Sequence, residues 1–167
     1  MLGGKVHHHS GGGMALTWNE YRSQFSLWCI LASPLIFSAD IIQHYSSANI
    51  LTKEMRDIMM NREMIAINQD PLGKEGLRVS PPNPTGGEAW ARALKDGNIA
   101  AALLNRGNTT ITVEATWTQL QVLEMKLHET RNARDVWAGT DLGNRSRGVS
   151  MNVAVHDTAV VMLVPTV

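Results

Sequence analysis

At 167 residues the chain has the length of one domain, or of a small domain with something attached, and 44% apolar and 18% charged residues suit a globular protein. Lys+Arg and Asp+Glu balance at 15 each, so no basic footprint invites nucleic acid, and the longest apolar stretch, Leu27 to Ala39, is broken by Ser33-Pro34, short of the ~20 residues of a membrane span. A single cysteine, Cys29, excludes an internal disulfide and an all-cysteine zinc site.

Residues 1–13 read as a flexible Gly/His-rich loop without the apolar segment of a signal peptide. Thr17-Trp18-Asn19-Glu20 has the form of a capping box, and Tyr21, Phe25, Trp28, Cys29 and Ala32 follow at helical spacing. Pro34 stops that helix near Ala32 or Ser33. Leu35-Ile36-Phe37 then reads as a short strand covered on both faces, and Ala48 to Met60 as an amphipathic helix. A further helical turn over Glu63–Ile67 ends at Asp70-Pro71-Leu72-Gly73. Helix, strand and helix are a piece of an α/β architecture whose single strand lacks neighbours for its backbone.

Beyond Pro71 the pattern turns to β, with a boundary expected between 71 and 80. Ala89–Leu94 and Ile99–Leu104 flank Asp96-Gly97, the type I′ hairpin signal. Further strands are expected at Thr109–Thr116, around Leu120, Val122 and Met125, at Arg134–Trp137, at Val149–Val155 and at Thr158–Val164. Short strands at such spacing predict an antiparallel β-sandwich.

Three stretches carry more than their physics. Leu16-Thr17-Trp18-Asn19-Glu20-Tyr21, running on through Leu27-Trp28-Cys29-Ile30-Leu31-Ala32-Ser33-Pro34-Leu35, is similar to the segment entering the last barrel strand of melibiase-type α-galactosidases (glycoside hydrolase family 27). Met64-Ile65-Ala66-Ile67-Asn68-Gln69-Asp70-Pro71-Leu72-Gly73-Lys74 resembles that family's signature between barrel and C-terminal domain. Val136-Trp137-Ala138-Gly139 and His156-Asp157-Thr158-Ala159-Val160 resemble its late β-domain pattern. The resemblance runs from about Met14 to Val164. It implies the last helix-strand-helix of a (β/α)8 TIM barrel over residues 14–74 and an antiparallel β-sandwich over 75–167.

It also implies a retaining glycosidase that removes terminal α-linked galactose, without a cofactor or metal. Such chemistry needs a nucleophile and an acid/base roughly 5 Å apart. In the family both are aspartates on middle barrel strands upstream of the segment matched by Leu16, so no catalytic residue is expected here, and the chain alone is expected to be inactive. Met1-Leu2 matches the end of the family's Asp-Pro-Asp-Met-Leu motif, which implies substrate binding by Met1, although the loop 3–13 is longer than the family's usual form. Asp40 is the acid best placed at a strand's C-terminal end; Asp70 and Asp157 read as turn or cap residues. His7-His8-His9 lack a fixed metal geometry, and Cys29 on an apolar stripe reads as core.

Of the five tryptophans, Trp18 and Trp28 are expected in the helix core, Trp90 and Trp137 inside the sandwich, and Trp117 nearest the surface. Asn108-Thr109-Thr110 and Asn144-Arg145-Ser146 are glycosylation sequons, consistent with the secreted or lysosomal compartment that the family implies. The expected partners are α-galactosides through the complete enzyme, the remaining barrel portion, and a second copy; neither nucleic acid nor membrane is expected. An α-N-acetylgalactosaminidase fragment, a stand-alone lectin-like module and one half of a split gene are the alternatives. Because 14–70 would bury its apolar faces against absent strands, residues 75–167 alone are expected to be more soluble than the whole chain.

Overall fold

The computed structural model describes residues 16–36, 52–124 and 130–166. Helix α1, Trp18–Ile30, starts at the expected capping box: the Thr17 hydroxyl accepts from the Glu20 amide at 3.3 Å and the Glu20 carboxylate from the Thr17 amide at 2.7 Å. It ends in a Schellman turn, with the Ser33 amide on the Trp28 carbonyl (2.9 Å) and the Ala32 amide on that of Cys29 (3.3 Å). Ala32 occupies the left-handed position, φ 53°, where glycine is usual. Helices α2, Lys53–Met59, and α3, Arg62–Asn68, follow, capped by Thr52 and Asn61.

The β region starts with β1, Leu77–Arg78, and β2, Gly87–Ala93. Next come β3, Ile99–Asn105, and β4, Ile111–Thr116, then a helical turn α4, Trp117–Leu120. After it lie β5, Arg131–Asp135, β6, Thr140–Arg145, β7, Gly148–Val153, and β8, Thr158–Pro165. Every pairing is antiparallel; the larger sheet has the order β1-β2-β3-β8-β5-β6, and β4 pairs with β7 across from it. In the β2–β3 hairpin Asp96 and Gly97 both adopt positive φ (61° and 77°), which the I′ turn requires.

The larger sheet is covered on both faces. Ala89, Ala91, Ile99, Ala101, Leu103, Val161 and Leu163 meet Val113, Ala115, Val149 and Val153 of the small sheet. The alternate residues Ala100, Ala102 and Val160 meet Phe25, Cys29, Ile30, Met64 and Ile67 of the helices. Each large apolar side chain fully buried there contributes on the order of 1.5–3 kcal/mol. The molecule is therefore helices on sheet on sheet, and the small Ala100–Ala102 run lets α1 approach the strands closely.

Two expectations need correction. The strand expected around Leu120 and Val122 is instead α4 followed by a 3₁₀ turn, Gln121–Leu123; Met125 lies outside the described residues. A second capping box decides it: Thr116 accepts from the Gln119 amide, Gln119 from the Thr116 amide, and Leu120 and Leu123 are buried at helical spacing. Leu35 and Ile36 pair with no strand, and Ile36 is 74% exposed; Phe37 lies outside the described residues. A parallel strand needs a neighbour's ladder, and none stands beside these two among the described residues. Removing the helices would uncover Leu94, Ala100, Ala102, Val136 and Val160, a sheet face that the solubility expectation did not count.

Candidate functional site

The three stretches that carry the family resemblance meet at one place, the junction between helices and sandwich. One face of α1 docks on the turn between β7 and β8. The Asn19 amide donates to the Val155 carbonyl at 3.0 Å and the Ser23 hydroxyl to that of His156 at 2.8 Å, while the Thr158 hydroxyl donates to Ser23 Oγ at 2.8 Å. Arg22 grips Asp157 with two donors, Nε to Oδ1 at 2.8 Å and Nη2 to Oδ2, and Asp157 Oδ1 also accepts the Thr158 amide at 2.7 Å. His156, held at φ 56°, places Nδ1 3.2 Å from Glu20 Oε1 and Nε2 3.3 Å from Asn108 Oδ1. The capping hydrogen bonds from Thr17, with a smaller contribution from His156, hold the Glu20 carboxyl below its ordinary range.

The second stretch closes the other end of α1. Asn68, at the end of α3, donates to the carbonyls of Trp28 (3.3 Å) and Ser33 (2.9 Å), which pins the Schellman turn to α3. From the β domain, Trp137 donates its Nε1–H to Ser26 Oγ at 3.1 Å, and the Arg22 guanidinium lies 5.9 Å from its ring centroid. Arg134 on β5 forks onto Glu63 of α3, Nε to Oε2 at 3.0 Å and Nη2 to Oε1 at 2.9 Å, and reaches Asp141 at 3.2 Å; these carboxylates raise its already high pKa. Arg22, Asp135, Trp137, Asn152 and Asp157 rim a cleft of about 240 Å³.

Met1, His7, His8, His9 and Asp40 lie outside the described residues. Asp70 spends Oδ1 on the amides of Leu72 and Lys95, both at 3.0 Å, and so holds its turn against the β2–β3 hairpin. Asp157 is engaged by Arg22 as above, and Asp135, on the rim of the same cleft, accepts the amides of Trp137 (2.9 Å) and Ala138 (3.0 Å) with Oδ1. Cys29 is fully buried, and burial pushes its thiol up to about 12, far from a reactive thiolate. Among the described residues no three His, Cys, Asp or Glu side chains gather where a metal could be held. The tryptophan expectation reverses in part: Trp18 is 45% exposed, whereas Trp117 packs on the sandwich core. Sequence reasoning did not single out Arg22, Glu63 or Arg134; Asn68, Trp137 and His156-Asp157-Thr158 entered it only as parts of the motifs that carry the resemblance.

The architecture is a β-sandwich with a helical layer hydrogen-bonded across its larger sheet. Residues 85–163 match the model of the α-galactosidase C-terminal β-sandwich domain and residues 10–70 that of α-galactosidase A. The α-galactosidase of Coffea arabica is 34% identical over 92% of this chain and 37% of its own length. The crystal structure of α-galactosidase I from Mortierella vinacea superposes with a TM-score of 0.77 at 26% identity, over 93% of this chain and 37% of that one. The α-galactosidase of Saccharomyces cerevisiae, solved with raffinose, shares the fold at a TM-score of 0.78 and 22% identity, over 92% of this chain and 45% of that one. The chain belongs to the melibiase-type α-galactosidase family, glycoside hydrolase family 27, and matches its C-terminal portion. It spans little more than a third of the Coffea relative's length.

Proposed function

We propose that the chain serves as the C-terminal part of a retaining glycosidase acting on terminal α-linked galactose, with the nucleophile and acid/base supplied by barrel strands outside it. One observation carries this reading: the barrel-type and sandwich-type matches fall in family order on one chain, and their signature residues meet at a single junction. The sandwich buttresses the barrel's last helices, and the chain alone is inactive. The outer side of the helical layer, where Trp18, Ile36 and Met60 are exposed, is where the rest of the barrel packs. The proposed compartment is secreted or lysosomal; Asn108 and Asn144 of the two sequons are both exposed.

A lectin-like module is less well supported, because Trp28, Trp90, Trp117 and Trp137 are each half-buried against a core instead of forming a platform. The test is hydrolysis of a chromogenic α-galactoside by purified 1–167, alone and joined to the remaining barrel, with the matching α-N-acetylgalactosaminide in parallel. Turnover of the galactoside by the joined protein only is expected. Turnover by 1–167 alone would overturn the assignment of the carboxylates, and preference for the acetamido sugar would overturn the substrate.

A further inference from the structure

Arg92 is the penultimate residue of β2 and is 1% exposed. Ala89, Ala91 and Ala93 point to the sandwich core, so the alternation of the strand turns Arg92 toward the helices. A buried cation usually meets a carboxylate. Arg92 forms no ion pair among the described residues; its guanidinium donates to four backbone carbonyls. Nε reaches Lys74 O at 2.7 Å, and Nη1 reaches Cys29 O at 3.0 Å, Ile67 O at 2.6 Å and Asn68 O at 3.1 Å.

Three of these carbonyls belong to the last turns of α1 and α3, where the backbone runs out of helical amides and the helix dipole is negative. The positive charge thus rests on two converging helix ends. Burial lowers the guanidinium's pKa, and the Asp70 carboxylate offsets this in part.

We propose that Arg92 is the pin that makes the helical layer and the sandwich one cooperative unit: a guanidinium on the central sheet, held by the C-terminal carbonyls of α1 and α3 and by Lys74. Separating the layers strands a cation on one side and, on the other, leaves the Cys29 and Ile67 carbonyls with only long amide contacts (3.3 Å from Ala32, 3.4 Å from Asp70), so opening the helices while the sheet stays closed is costly. The length of the guanidinium matters. Nη1 alone meets the carbonyls of α1 and α3 while Nε meets Lys74 O, so a single ammonium can serve one of these two positions and leaves the other unpaired.

The experiment is amide hydrogen exchange on the full 167-residue chain and on Arg92→Met and Arg92→Ala. Met keeps most of the volume and removes the donors. In Arg92→Met the α1 and α3 amides should exchange roughly 10- to 100-fold faster while β3 and β8 change much less, the loss expected when buried carbonyls lose their charged donor. In Arg92→Ala the vacated space matches ethylguanidinium, and millimolar ethylguanidinium should restore helix protection there, not in Arg92→Met; ethylammonium should restore it in neither. Wild-type helix protection in Arg92→Met would overturn the proposal, as would an equal fall in helices and strands. If Arg92→Ala does not fold, Arg92→Met decides.

Discussion

On the side of β4 and β7 the larger sheet meets mainly aliphatic side chains, Val113, Val149 and Val153 against Ile99, Leu103 and Leu163. On the helical side a thinner apolar patch is ringed by polar links: Arg22 to Asp157, Arg134 to Glu63, Trp137 to Ser26, Asn68 to the end of α1. Apolar contact is non-directional and supplies cohesion, whereas hydrogen bonds fix angle and register. The sandwich core can therefore tolerate volume-conserving exchange, while the helical junction holds one orientation of α1 against the sheet. Such a junction suits a part whose task is to hold another region in place.

The most severe way to break this comparison is to remove the helices. Residues 75–167 expressed alone should aggregate or lose dispersed NMR spectra relative to 1–167, because one sheet face is left bare; a well-dispersed monomer would show that the small sheet suffices. Next in size is Asp157→Ala, which leaves Arg22 and the Thr158 amide without their acceptor. With Arg22's side chain 35% exposed, screening limits the loss to about 1–3 kcal/mol in denaturant unfolding. A Cβ at Gly76 would stand 2.6 Å from the Ile30 carbonyl oxygen, so Gly76→Ala should cost about 1–3 kcal/mol by forcing α1 off the sheet.

Smaller effects sharpen the picture at the ends of α1. Ala32→Gly should stabilise by up to about 1 kcal/mol, since the left-handed position strains a Cβ, and thermal unfolding would read it. Glu20 has a folded pKa below its ordinary 4.5, so its contribution is fully present above that value and is lost as pH falls through the lower folded value. Glu20→Gln should remove that part of the acid dependence, visible as a flatter stability curve over the same range.

The elements whose signals are local were legible in the sequence: the Thr17 capping box, the stop before Pro34, the Asp96-Gly97 turn, the alternation in β7. The Thr116 box was equally local and was masked by the β-favouring residues around it, Val122 above all. The third layer was written in β3 itself. Ile99-Ala100-Ala101-Ala102-Leu103-Leu104 has no polar face, the mark of a strand buried on both sides, and the hairpin reading did not use it. The junction was not legible, because Arg22 and Asp157, or Arg92 and the carbonyls it caps, are brought together only by the fold. No spacing rule connects residues 135 apart.

The last strand in chain order, β8, is not at the edge of its sheet but between β3 and β5. On a ribosome, then, β1–β3 and β5–β6 emerge as two hairpin-like pieces that cannot join until Thr158–Pro165 has left the exit tunnel. Until that moment both β3 and β5 present an unpaired edge, and α1 lacks the Asp157 turn on which it docks. A nascent chain stalled shortly before residue 158 would hold the β1–β3 and β5–β6 pieces still unjoined.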